Sequence, residues 1–177
     1  MIEFIKPDLL IKKYLFFIAP LVSAALLISA FPPFEQGYMA WFALLPLLWA
    51  CLSESPRRAF WSGFIFGVPL HAYLNLYLSE VLFIHLPGWL AAVALLALFL
   101  YLSFFNAFFA GLASLANRLN KHWLTVLVLP SLWLLMEFLR SLSFLAYNVG
   151  YIGYTQWSYP IILNIASVYG YWGLPFL

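Results

Sequence analysis

The chain has 177 residues, of which 66% are hydrophobic, 21% aromatic and only 8% charged. Soluble domains run at about 45–50% apolar and about 25% charged residues, so a water-exposed fold is excluded, since the polar groups are too few to cover its surface. The net charge of +2 is scattered and gives no nucleic-acid surface, and the single cysteine, Cys51, allows neither an internal disulfide nor a cysteine metal cluster.

A transmembrane helix needs about 20 mostly apolar residues. On that measure the chain reads as all-α, a polytopic transmembrane helix bundle with five full spans and the start of a sixth. The first span runs from Tyr14 to Ala30 and ends at Phe31-Pro32-Pro33-Phe34-Glu35-Gln36-Gly37, because Pro-Pro cannot continue a helix. A signal peptide is the other reading of this segment, with Lys12-Lys13 as its basic region and Ile28-Ser29-Ala30 as a cleavage site. The apolar stretch, however, exceeds the roughly 7–15 residues of a signal sequence.

The second span, Tyr38 to Leu52, is short and carries Pro46, which predicts a kink or tilt. Ser53 to Arg58 is a polar loop. The third span, Ala59 to Ser79, contains Gly63, Gly67, Pro69, His71 and Asn75, and a loop is expected from Glu80 to Gly88. Gly63-x-x-x-Gly67 has the spacing of close helix packing. The fourth span, Trp89 to Ala116, is the longest and is followed by a loop from Asn117 to His122. The fifth runs from Trp123 to Leu139. A stretch rich in Ser, Tyr, Gly and Asn covers Arg140 to Pro160, and a sixth apolar segment begins near Ile161.

Lys and Arg concentrate in cytoplasmic loops. Lys6, Lys12 and Lys13 precede span one, Arg57 and Arg58 lie between spans two and three, and Arg118 and Lys121 lie between spans four and five. Seven of the eight basic residues therefore fall on one side. That side is read as cytoplasmic, with the N-terminus on it; Arg140 falls on the other. Tyr38, Trp41, Trp89, Trp123, Trp157 and Tyr159 stand at span ends, where aromatic residues either form an interfacial belt or simply pack.

The most informative segment is Pro130-Ser131-Leu132-Trp133-Leu134-Leu135-Met136-Glu137-Phe138-Leu139-Arg140. Glu137 and Arg140 are spaced i, i+3, so they share a helix face and are able to pair. Ionisable residues near an apolar span mark function by default; a pair anchoring the helix end at headgroup level is the equal alternative. His71 and Asn75, spaced i, i+4, form a polar stripe that lines a cavity or, the favoured reading, hydrogen-bonds a neighbouring helix. His71 and His85 lack metal-ligand spacing. Cys51 has no histidine in sequence reach and a carboxylate, Glu54, three residues on, which opposes thiolate formation. The serines lack a Gly-x-Ser-x-Gly setting, and there is no phosphate-binding glycine loop.

Residues 130–140, followed by Gly153-Tyr154-Thr155-Gln156, resemble the membrane domain of apolipoprotein N-acyltransferases. Ala30-Phe31-Pro32-Pro33-Phe34, Trp41-Phe42-Ala43-Leu44-Leu45-Pro46-Leu47-Leu48, Gly63-Phe64-Ile65-Phe66-Gly67 and Gly170-Tyr171-Trp172-Gly173-Leu174-Pro175-Phe176-Leu177 fit the same family in the same order. Many members carry Phe-Pro-Trp ahead of the Gly-Tyr-Ser/Thr-Gln motif, where this chain has Tyr147-Asn148-Val149.

The resemblance implies a bacterial cytoplasmic (inner) membrane protein. Its enzyme moves an acyl chain from a phospholipid to the α-amino group of a lipoprotein's N-terminal diacylglyceryl-cysteine through a cysteine thioester. No cofactor is implied, and the partners are the phospholipid donor, the lipoprotein N-terminus and the lipid bilayer. The family's Glu-Lys-Cys triad lies in a nitrilase-like domain that follows the membrane helices; none of it maps onto this chain, and Cys51 is not its substitute. Residues 1–177 are therefore expected to be the N-terminal membrane domain of a longer protein, a partial chain that anchors the catalytic domain and shapes a lipid cleft. Glu137, Arg140, Tyr154 and Gln156 are expected as outer-face, substrate-binding residues near that cleft, with Arg140 at the height of a phospholipid phosphate. A non-catalytic membrane scaffold, or a small transporter reusing the fold, is the alternative from a different class.

Overall fold

The computed structural model describes residues 9–118 and 122–176. Among them every regular element is helical: α1 (Leu9–Ser29), α2 (Ala40–Ala43), α3 (Leu45–Ser53), α4 (Pro56–Leu74), α5 (Leu76–His85), α6 (Gly88–Asn117), α7 (His122–Leu142) and α8 (Pro160–Tyr169). Short 3₁₀ turns stand at Gly37–Met39, Ile152–Gln156 and Tyr171–Gly173. Two helices are long and apolar enough to cross a membrane, Gly88–Asn117 with mean hydropathy 2.2 and Trp123–Leu142 with 1.5. Large apolar side chains such as Ile84, Trp89, Val126 and Ile161 face outward, the surface expected where lipid rather than water is the solvent.

The second apolar segment is divided by its proline. Pro46 sits in the first turn of α3, and the helix breaks at Leu44 between α2 and α3. The break frees the Leu47 backbone N–H, which donates to Ser23 Oγ on α1 at 2.8 Å. A neighbouring helix thus supplies the acceptor that the local ladder has lost, as buried backbone requires.

The third segment departs from expectation. The helix is interrupted at Asn75, whose side-chain amide donates to the His71 carbonyl at 2.7 Å, and it then resumes as α5 through His85. The loop expected at Glu80–Gly88 is therefore mostly helix. Glu80 is exposed and a solvated charge does not stop a helix; Pro87 does, and α6 starts right after it.

The core lies where α4 crosses α6, with α1 and α3 packed alongside. Gly63 and Gly67 make this crossing possible. A β-carbon on Gly63 would lie 2.6 Å from Ala110 Cβ, and one on Gly67 would lie 2.8 Å from Ser103 Cα, so only glycine permits this approach. Phe66, Leu102, Phe109, Ala110 and Trp133 fill the space around it. Cys51 is fully buried here, its thiol directed at the Ala59 carbonyl.

Two ends of the bundle are distinguished by their polar groups. At one, Ser114 Oγ donates to the Glu54 carbonyl at 2.8 Å and Asn117 donates to the Leu52 carbonyl at 3.0 Å. Exposed Arg57, Arg58 and Arg118 gather there. Lys6 and Lys121 lie outside the described residues. The other end, about 28 Å away along α4, holds Asn75, the loop after α1 and the 140–160 stretch; Tyr73 OH donates to the Pro32 carbonyl at 2.6 Å to tie the first two together.

Candidate functional site

Glu137 and Arg140 both sit in the last two turns of α7 and both are buried, at 4% and 5% exposure. They do not pair. The ion pair found among the described residues is Arg58–Glu54, 3.3 Å apart at the opposite end. The expectation of a Glu137–Arg140 pair is therefore corrected, and the reason is competition from other donors.

Glu137 is satisfied by three neutral groups. Trp133 Nε1, one turn earlier, donates to Oε1 at 3.1 Å. The backbone N–H of Ile152 donates to the same oxygen at 2.8 Å. Tyr171 OH donates to Oε2 at 3.0 Å. One carboxylate thus joins α7 to two segments 15 and 34 residues downstream. Such charge-assisted bonds are stronger than neutral ones.

Arg140 instead lies under the ring of Tyr151, its guanidinium carbon 4.6 Å from the ring centroid. Tyr151 is fixed by its hydroxyl, whose proton is shared between Asn148 Oδ1 at 2.8 Å and the Glu137 carbonyl at 3.1 Å. Arg140 Nε and Nη2 are buried and have no hydrogen-bond partner within the protein. These two nitrogens form one edge of the guanidinium, the edge that grips an oxyanion in bidentate fashion.

An aromatic cluster surrounds the pair. Tyr151 stacks on Tyr154 with centroids 5.7 Å apart, Tyr154 meets Tyr171 at 5.1 Å, and Trp172 bridges Tyr171 and Phe138. Tyr154 is half exposed at the rim.

Beside this cluster opens a cleft of about 380 Å³, walled by Ala40, Leu44 and Leu48 on one side and by Val126, Pro130 and Trp133 on the other. Thr155 and Gln156 contribute polar lining. Gln156 is wired in place: its amide donates to the Gly37 carbonyl at 2.9 Å and to Thr155 Oγ1 at 2.8 Å, while its oxygen accepts from Trp41 Nε1 at 3.3 Å. Gly37 must be glycine for this contact, because a β-carbon there would lie 2.7 Å from the Tyr159 ring.

A second polar network runs inward from the same end. Asn106 Nδ2 on α6 meets His71 Nε2 on α4 at 2.8 Å. Asn75 accepts from Tyr147 OH, and the Tyr147 and Tyr77 hydroxyls are 3.4 Å apart. Burial raises the pKa of the Tyr147 and Tyr151 phenols above their ordinary range, so both remain donors. His71 thus hydrogen-bonds a neighbouring helix, the reading favoured from the spacing, whereas Asn75 bonds back to its own helix and to Tyr147 in the stretch after α7.

Of the four residues expected at the site, Glu137, Arg140 and Tyr154 share the aromatic cluster, and Gln156 lies in the cleft wall. Trp133, Tyr151, Tyr171 and Asn106 were not anticipated. Trp133 was legible, standing one turn before Glu137; the others become partners only through tertiary folding.

The family profile described as the apolipoprotein N-acyltransferase N-terminal domain matches residues 23–177. An apolipoprotein N-acyltransferase of Geobacter metallireducens is 30% identical over 164 residues, covering 91% of this chain and 31% of the relative. One from Chromobacterium violaceum is 37% identical over 153 residues, covering 77% of this chain and 27% of the relative. An apolipoprotein N-acyltransferase 1 of Treponema denticola is 47% identical over 45 residues, covering 25% of this chain and 8% of the relative. The chain spans about a third of the length of the first of these relatives.

Proposed function

The chain belongs to the apolipoprotein N-acyltransferase family, and on that premise we propose that it is the membrane domain of an enzyme that moves an acyl chain from a phospholipid to the N-terminal diacylglyceryl-cysteine of lipoproteins. The chemistry belongs to groups outside these residues. The domain's part is to anchor the catalytic domain in the bacterial inner membrane and to shape the cleft that receives lipid.

The observation that carries this reading is the cleft itself: a mostly apolar trough of about 380 Å³ between α2–α3 and α7, with Thr155 and Gln156 among its lining residues. Its walls suit an acyl chain, and its polar lining suits the ester region of a lipid. Gln156 lies in its wall, and Glu137, Arg140 and Tyr154 are outer-face residues in the aromatic cluster beside it, with Arg140 meeting the lipid phosphate.

The domain crosses the bilayer five to six times with its N-terminus in the cytoplasm. Exposed Arg57, Arg58 and Arg118 at one end of the bundle, opposite Arg140, support this orientation.

The test is complementation. The full-length protein that contains this chain is expressed in bacteria depleted of their own N-acyltransferase, and lipoprotein N-termini are read by mass spectrometry. Triacylated N-termini are expected, with a marked loss when Leu44→Trp fills the cleft. N-termini that remain diacylated overturn the proposal.

A further inference from the structure

A buried carboxylate and a buried guanidinium stand three residues apart on one helix, Glu137 and Arg140, and form no ion pair. In a medium of low dielectric their attraction is strong, and Arg140 is the cation whose field reaches Glu137. Something must hold the carboxylate away. Oε1 is pinned by two donors, Trp133 and the Ile152 N–H, and acts as a pivot. Oε2 is held by Tyr171 OH.

We propose that Tyr171 is a positioning residue that arms Arg140: by holding Glu137 Oε2 it keeps the carboxylate off the guanidinium and leaves the Nε–Nη2 edge unpaired within the protein, to be taken by one phosphodiester anion. This rests on the reading of Arg140 as phosphate-facing. The edge is buried and unpartnered, while the guanidinium face is covered by Tyr151 at 4.6 Å. A cation–π contact offsets only part of what an unpaired buried charge costs. An anion of fork-matching geometry supplies the remainder, and a phosphodiester offers two such oxygens.

Tyr171 stands in the 3₁₀ turn Tyr171–Gly173, which reaches α7 across the aromatic cluster. Docking of that turn and availability of the cation are therefore one event. Without the Tyr171 hydroxyl, Oε2 loses its donor, the carboxylate turns about Oε1, and Arg140 is quenched from within.

The full-length protein in dodecyl maltoside, a detergent without phosphate, is titrated with dihexanoylphosphatidylcholine by calorimetry, with dihexanoylglycerol and inorganic phosphate as separate arms. The wild type prefers the phospholipid over dihexanoylglycerol, and Arg140→Ala abolishes that preference. Tyr171→Phe weakens phospholipid binding by about tenfold, a scale set by loss of one charge-assisted contact. Adding Glu137→Gln to Tyr171→Phe restores binding to within about twofold of wild type, because the neutral amide cannot quench the cation; a folding defect would not be rescued this way. Tyr171→Phe binding like wild type, or the double variant binding no better than Tyr171→Phe, overturns the arming role. Arg140→Ala binding like wild type overturns the phosphate reading itself, independently of Tyr171. Phospholipid displaced by an equal concentration of inorganic phosphate overturns the lipid source and assigns the edge to free phosphate.

Discussion

Glu137 draws its hydrogen bonds from Trp133 on its own helix and from Ile152 N–H across the site, so that one carboxylate oxygen serves two donors at 3.1 and 2.8 Å. That carboxylate is the fastening point of the end of the bundle that carries the 140–160 stretch. Removing it orphans three donors at once.

Glu137→Ala is accordingly expected to destabilise the protein strongly, at about 1–3 kcal/mol for each buried donor left unpaired. Glu137→Gln, which keeps an acceptor in place, costs much less. Thermal unfolding of the detergent-solubilised protein, followed by fluorescence-detected size exclusion, checks the order: wild type, then Gln, then Ala. Equal midpoints for Gln and Ala would refute the fastening role.

The α4–α6 crossing gives a second contrast. Gly67→Ala places a β-carbon 2.8 Å from Ser103 Cα, whereas Gly111→Ala meets nothing nearer than 3.6 Å. Overpacking of this kind costs roughly 1–3 kcal/mol. The same unfolding assay is expected to show a lower midpoint for Gly67→Ala and an unchanged or raised midpoint for Gly111→Ala, since alanine is the better helix former.

The buried Asn106–His71 contact predicts non-additivity. Asn106→Leu leaves the imidazole without the partner it has at 2.8 Å and is expected to cost about 1–2 kcal/mol. Adding His71→Leu removes the orphaned polar ring as well, and the double variant is expected to be more stable than Asn106→Leu alone. A double variant whose loss equals the sum of the single losses would show the two side chains to be uncoupled.

Orientation is testable because Cys51 is buried and will not react. Phe144, 97% exposed in the loop after α7, and Arg118, exposed at the opposite end, are replaced separately by cysteine. A membrane-impermeant maleimide is expected to label Phe144→Cys from the outside of intact cells and Arg118→Cys only after permeabilisation. The reverse pattern would invert the proposed topology.

Much of the fold was legible. Hydropathy located the apolar helices, Pro46 marked the α2–α3 break, and the Gly63–Gly67 spacing marked the tightest crossing. The reading failed at Glu80–Gly88, expected as a loop and mostly helix in the structure. Glu80 lies on an exposed face of α5 and leaves its backbone free to stay helical, while the real interruption is at Asn75. At the site, the i, i+3 rule correctly brought Glu137 and Arg140 to one face, but it could not foresee that Ile152 and Tyr171 would reach the carboxylate first. Partners 15 and 34 residues away leave no periodic signal in a sequence.

The bond from Gln156 to the Gly37 carbonyl spans 119 positions of chain. During synthesis Gly37 leaves the ribosome long before Gln156 does, so this link is among the last to close. Until α7 has been threaded into the bilayer, the trough has a single wall and stands open to surrounding lipid along its length. A nascent chain arrested at that stage therefore exposes the apolar faces of α2 and α3. The order in which the ribosome delivers the helices thus determines when the cleft between them first exists.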